Sequence, residues 1–146
     1  MENGKKRILA LDYGDRRIGI AMSDPLQILA HPIETIENNK NLIPTLSDYI
    51  SRYAITQIVV GMPYNLKGQK EKKAQQVDEF IQRLKHGLEI EIITWDERFT
   101  SVIAHKTLLE MGTTKKDRRD KGRIDTMAAA ILLQSYLDSK KRSLRC

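Results

Sequence analysis

The run from Leu11 to Asp24, LDYGDRRIGIAMSD, constrains this chain more than any other stretch of its sequence. Arg7 to Leu11 is an apolar strand, Gly14 supplies a turn in which a positive backbone angle is accessible, and Ile18, Ile20 and Met22 alternate with smaller residues in a return strand. An antiparallel hairpin follows, with the carboxylate of Asp12 at the end of its first strand. A carboxylate fixed at a sheet's edge is costly to bury unless it meets a metal ion, a cation or a set of hydrogen-bond donors. The remainder of the chain has to supply both the layers that cover this hairpin and the partners of Asp12.

Gln27 to Ile36, with Pro25 before it and Pro32 inside it, reads as a third strand at a sheet edge. Asn41 to Tyr53 carries Leu42, Ile43, Leu46, Tyr49 and Ile50 at helical spacing, and Gln57 to Gly61 then forms a short buried strand. GMPYNLKG follows as a loop punctuated by Gly61, Pro63 and Gly68. A polar helix from about Glu71 to Lys85 places Ala74, Val77, Phe80, Ile81 and Leu84 on one face, and Leu88 to Thr94 is another strand. After WDERFTS, Thr100 and Ser101 are placed to cap a helix running to about Met111, with Gly112 as its stop. TTKKDRRDKGR cannot bury a core and reads as a solvated loop. The closing helix runs from Asp125 to about Ser139, with Ile124, Met127, Ala128 and Ile131 as its apolar stripe and KKRSLRC fraying beyond it. The order predicts an α/β fold in which a mixed five-stranded sheet carries helices on both faces. It forms one domain over residues 1–139, followed by a basic tail, 140–146.

A chain of 146 residues is long enough to fold around its own core without staples. No segment approaches the roughly 18 uninterrupted apolar residues of a membrane span, and no signal-peptide core follows MENGKKR, so a cytoplasmic location is expected. The single cysteine, Cys146, excludes an internal disulfide and a cysteine-based zinc cluster. His31, His86 and His105 are too dispersed for a zinc motif. The formal charge of +6 points to an anionic partner.

Three acids lie where elements begin or end: Asp12 closing the first strand, Glu97 just past the last strand, and Asp125 at the start of the last helix. In open α/β sheets the ligand crevice lies at the carboxyl ends of the strands, so Asp12 and Glu97 can face one crevice, which Asp125 reaches only if its helix crosses there. Hard oxygen ligands of this kind suit magnesium or manganese. Each acid also has a plain structural explanation. Asp125 in a first helical turn stabilises the macrodipole, and Asp96 or Glu97 can pair with Arg98 or Arg17. Side chains alternate along a strand, so only one of Asp96 and Glu97 points into the crevice, and spacing does not say which.

Four stretches, LDYGDRRIGIAMSD, VVGMPYNLKG, DERFTSVIA and KGRIDTMAAAILLQSYL, resemble the ordered motifs of the YqgF, or RuvX, family of Holliday junction resolvases and pre-ribosomal RNA nucleases. They cover nearly the whole chain. The first hairpin alone would be weak, since actin-like ATPases and sugar kinases share a similar one. The resemblance implies a ribonuclease H-like fold and implies that Asp12, Glu97 and Asp125 form the catalytic, metal-binding set, which selects Glu97 over Asp96. Related junction resolvases commonly bring a fourth carboxylate from the closing helix, whereas Thr126, Met127, Ala128 and Ala129 follow Asp125 here.

Arg16, Arg17 and Arg98 stand beside these acids in the sequence and are candidates for phosphate contact, as are the hydroxyls of Thr100 and Ser101. Lys115, Lys116, Arg118, Arg119, Lys121 and Arg123 concentrate positive charge just before Asp125 and read as a substrate-binding arm. Aromatic residues are scarce: Tyr13 and Tyr64 are the candidates for base stacking, while Trp95 is expected to pack. Together these features point to a nuclease using Mg2+ or Mn2+ on structured RNA or branched DNA, as a monomer or homodimer. The resemblance favours processing of the 5' end of pre-16S rRNA, with junction resolution as the alternative. A non-catalytic nucleic-acid-binding factor acting on transcription and an ATPase built on the first hairpin are the competing classes. The ATPase suffers from size, since such enzymes clamp nucleotide between two domains.

Overall fold

The computed structural model describes the backbone of residues 6–100 and 121–144, and side chains over 6–100 and 126–141. Five strands form one sheet: β1 (Arg7–Asp12), β2 (Arg17–Ser23), β3 (Ala30–Glu37), β4 (Ile55–Met62) and β5 (Glu91–Asp96). Their order is β3-β2-β1-β4-β5. β1 to β3 are antiparallel neighbours, while β4 and β5 run parallel to β1 after helical crossovers. The mixed sheet expected from the element order is therefore present, and the proline-bearing β3 lies at its edge.

Burial on both faces explains the unbroken apolar runs in β1 and β4. On one face Leu9, Leu11, Ile20, Ile58 and Val60 meet α1 (Leu42–Tyr53) and α2 (Lys72–Gly87) through Leu46, Phe80 and Leu84. On the other, Ile8, Ala10, Ala21 and Val59 meet α3 (Lys121–Leu144) through Ala129, Ala130 and Leu133. Alanine on both sides of this second layer brings α3 close against β1, β2 and β3. Among the described residues no helix is long and apolar enough to cross a membrane.

The last helix departs from expectation in extent and in facing. It begins at Lys121 and runs through Leu144, passing Ser139 without fraying. Ala129, Ala130, Leu133 and Leu137 are buried, whereas Met127 and Ile131, expected on the core stripe, are only partly covered. Apolar residues occupy both stripes of this helix, so periodicity could not choose between them. Gln134 and Ser135 are buried as well, because each has work for its polar atoms. Gln134 accepts the amide N–H of Ala30 and donates to the Ile28 carbonyl, tying down the loop before β3. Ser135 donates to the Phe99 carbonyl and accepts from the Trp95 indole.

Candidate active site at the strand ends

Strand alternation sets the direction of Asp12. Leu9 and Leu11 point toward α1 and α2, so Ile8, Ala10 and the half-buried Asp12 belong to the α3 face. Its register partner on β2 is Gly19, which leaves the space beside the carboxylate clear of a side chain. Beyond Asp12 the chain turns sharply. A Cβ on Gly14 would lie 2.4 Å from the Arg17 carbonyl oxygen, so glycine is required there by close approach. The positive backbone angle expected at Gly14 is not used; among the described residues Gly68 is the glycine with positive φ.

Glu97 reaches the same face by a different route. On β5, Trp95 packs with Ile93 against the α3 layer, so Asp96 points the opposite way. A single 3₁₀ turn, Glu97–Phe99, then reverses the chain and swings the Glu97 carboxylate back over Gly61 of β4. A Cβ on Gly61 would stand 2.6 Å from Glu97 Oε1. β1 and β4 are paired with Leu11 opposite Val60, which places Asp12 beside Gly61. Two carboxylates, one ending β1 and the other following β5, thus converge across β4 on one face at the carboxyl ends of the sheet. Burial raises the pKa of Glu97, and Asp96 adds to the effect, while the positive charge of Lys73 opposes it. Asp96 is occupied elsewhere: it caps the 3₁₀ turn by accepting the Arg98 amide at 2.9 Å and takes the Arg98 guanidinium at 2.6 Å. That side-chain hydrogen bond holds its carboxyl below the usual range.

Asp125 lies in α3, the helix that covers this face. The helix starts at Lys121 and has no acid in its first turn, so Asp125 is not the helix-start acid the sequence suggested. The side chains of Asp125, Lys121 and Arg123 lie outside the described residues, as do Ser101, Lys115, Lys116, Arg118, Arg119 and the helix expected to end near Met111. Thr100 closes the 3₁₀ turn, its amide donating to the Glu97 carbonyl at 3.2 Å.

The arginines separate. Arg17, two residues before Gly19 on β2, is on Asp12's face, and Arg16 sits in the turn beside it. Both line an open cavity of about 860 Å³ between that turn and residues 37–39. Arg98 is turned away. Its guanidinium lies 5.4 Å over the Tyr64 ring and against Gly68, on the side where Tyr64 joins the α1 and α2 core. Tyr13 stacks on Phe80 with ring centroids 4.9 Å apart, which makes it a packing residue as well as part of the cavity wall. Gly61, read from sequence as the last residue of a strand and the first of a loop, is inside β4, which runs on to Met62. The signal for its role was present, since a glycine within an apolar strand marks a place where another group approaches closely.

Carboxylate oxygens at Asp12 and Glu97 are donors of the type that magnesium and manganese take. Among the described residues no set of three potential metal ligands is complete, the third candidate being Asp125. The three-strand meander, the parallel crossovers and paired acids at the strand ends define a ribonuclease H-like fold. A solved structure of T. thermophilus RuvC with a Holliday junction substrate superposes with a TM-score of 0.60 at 10% identity, covering 92% of this chain and 96% of that one. The family model described as RuvX, Holliday junction resolvase, matches residues 6–139, and the chain belongs to that family. A relative from Sulfurihydrogenibium sp. (strain YO3AOP1) is 46% identical over 90% of both chains. Another from Ruminiclostridium cellulolyticum is 43% identical over 90% of this chain and 94% of its own. Both relatives carry the name "Putative pre-16S rRNA nuclease".

Proposed function

We propose that this chain is a metal-dependent endonuclease that hydrolyses phosphodiester bonds in structured nucleic acid, and that its cellular task is processing of the 5' end of pre-16S rRNA. The observation that carries the reading is the Glu97 carboxylate folded back over Gly61, beside Asp12 and on the face α3 covers. Neither packing nor a hydrogen-bond cap requires a half-buried carboxylate there, and burial disfavours its charge. Asp12, Glu97 and Asp125 would hold Mg2+ or Mn2+. When bound, such an ion would supply Lewis-acid chemistry, lowering the pKa of water and offsetting charge on the phosphodiester. Arg17 and Arg16 neutralise the phosphates that flank the scissile bond, and the basic segment from Lys115 to Arg123 gathers the strand toward it. The names borne by the two relatives favour the precursor of small-subunit ribosomal RNA as substrate.

The test offers the purified chain a pre-16S rRNA fragment and a four-way DNA junction, each with Mg2+ or Mn2+. Cleavage of the RNA, lost by a factor of about 100 or more in Asp12→Asn, is the expected result. Cleavage of neither substrate, or an Asp12→Asn variant as active as the parent, overturns it. Preference for the junction keeps the nuclease and reassigns its substrate.

A further inference from the structure

The turn that follows Asp12 is held by one side chain from outside the hairpin. Asn38, the residue after β3, donates from Nδ2 to the carbonyls of Gly14 at 3.1 Å and Asp15 at 3.2 Å. Its backbone amide donates to the Arg16 carbonyl at 2.8 Å. Three successive carbonyls therefore converge on one residue. The remaining polar atom, Oδ1, accepts from Arg83 Nη1 at 2.8 Å, and the other arm of the same guanidinium donates to the Asn39 carbonyl. Both side-chain amide protons and the carbonyl oxygen are in use, so the orientation of Asn38 is dictated by chemistry on both sides. Arg83 lies one turn of α2 beyond Phe80, the residue on which Tyr13 stacks. Helix α2 thus grips the hairpin turn at two points, through Tyr13 directly and through Asn38 at second hand.

We infer that Asn38, oriented by Arg83, is a positioning residue for the active site. It sets the backbone of 14–16 and thereby the offset between the Asp12 carboxylate and the Arg17 side chain. This rests on the nuclease reading for its consequence, since Asp12 and Arg17 flank the clamped turn, the one acting at the scissile phosphodiester and the other on a phosphate beside it. Packing alone would not ask for an amide: leucine or aspartate fills a similar volume, but only asparagine donates two protons and accepts one here.

The experiment compares Asn38→Ala, Asn38→Asp, Arg83→Ala and Arg83→Lys with the parent. It measures amide hydrogen exchange across residues 13–17, steady-state kinetics on the RNA fragment and thermal stability. Asn38→Asp is the decisive variant, because it keeps the shape and the pairing with Arg83 but faces two carbonyls with an oxygen. It is expected to speed exchange in the turn and to lower kcat by about 10- to 100-fold at nearly unchanged KM, as a small misplacement of catalytic groups does. Arg83→Ala should resemble it, Arg83→Lys should recover part of the loss by keeping one donor, and the double variant Asn38→Ala, Arg83→Ala should be no worse than Asn38→Ala alone. Should Asn38→Ala fail to fold, Asn38→Asp and Arg83→Lys carry the comparison. Turn exchange and kcat in Asn38→Asp equal to the parent's would overturn the proposal, as would losses in the two single variants that multiply. If the parent cleaves nothing, the nuclease reading falls and exchange alone decides the clamp.

Discussion

Gly61 decides where a carboxylate can sit. Because the atom nearest its missing Cβ is the far end of the flexible Glu97 side chain, Gly61→Ala should leave the fold intact and displace the acid. The expected outcome is a loss of at least about 100-fold in cleavage with a melting temperature within a few degrees of the parent's, read by kinetics and calorimetry side by side. A variant that retains activity would mean Glu97 does not act from that position. Asp12 could be placed from sequence because an apolar strand ends on it, and its face follows from alternation. The choice between Asp96 and Glu97 could not. Alternation says that two neighbours diverge, but the inward one is set by the 3₁₀ turn after β5, and that turn depends on Asp96 accepting the Arg98 amide and guanidinium. The same ion pair removes Arg98 from the crevice, an outcome no spacing rule contains.

At the scale of elements, the loop between β2 and β3 is built around one carboxylate. Asp24 accepts the amides of Leu26, Ile28 and Leu29 at 3.2, 2.7 and 2.8 Å, which is why the chain can pass through Gln27 at φ 59° and re-enter the sheet at Ala30. Burial works against ionisation of Asp24, but these backbone donors outweigh it and its pKa is lowered. A carboxyl with a depressed native pKa stabilises the fold above the unfolded value, near 3.9, and that contribution is lost as pH falls toward the native value. Asp24→Ala should therefore cost about 1 kcal/mol at neutral pH and flatten the acid limb of the stability curve below about pH 4, as followed by denaturant melts across pH. An unchanged acid limb would assign the pH dependence to other groups. Helix α3 supports a second prediction. Leu133→Ala removes a fully buried side chain and should destabilise by about 3 kcal/mol, whereas Ile131→Ala should cost clearly less, a contrast denaturant titration resolves. Equal costs would restore the stripe that periodicity suggested. The helices α1 and α2 were legible because each has one apolar face, and α3 was located but misfaced because it has two.

For the molecule as a whole, the mixed sheet and its layering were legible, although the strand order was not. Three strands in succession can only meander, and strands separated by helices return in parallel, so the mixed sheet with a helical layer on each face follows from connection lengths. Electrostatics at this scale comes from sequence. The excess of six positive charges is concentrated by the segment from Lys115 to Arg123, whose last three residues open the helix that packs on the face shared by Asp12 and Glu97. If that segment binds phosphates, affinity should fall steeply with salt, because each neutralised phosphate releases a counterion. Replacing Lys115, Lys116, Arg118 and Arg119 by glutamine should then weaken binding of the RNA fragment at low salt. The slope of log K against log salt should become shallower by about 3, given about 0.7 to 0.9 per phosphate contact. Asp12→Asn makes the complementary control: it should abolish cleavage while leaving that slope unchanged, since a residue acting on the scissile bond releases no counterions. Fluorescence anisotropy over a salt series reads both variants. An unaltered slope in the glutamine variant would move the phosphate grip to Arg16 and Arg17 beside the cavity, where the same titration on Arg17→Gln would find it.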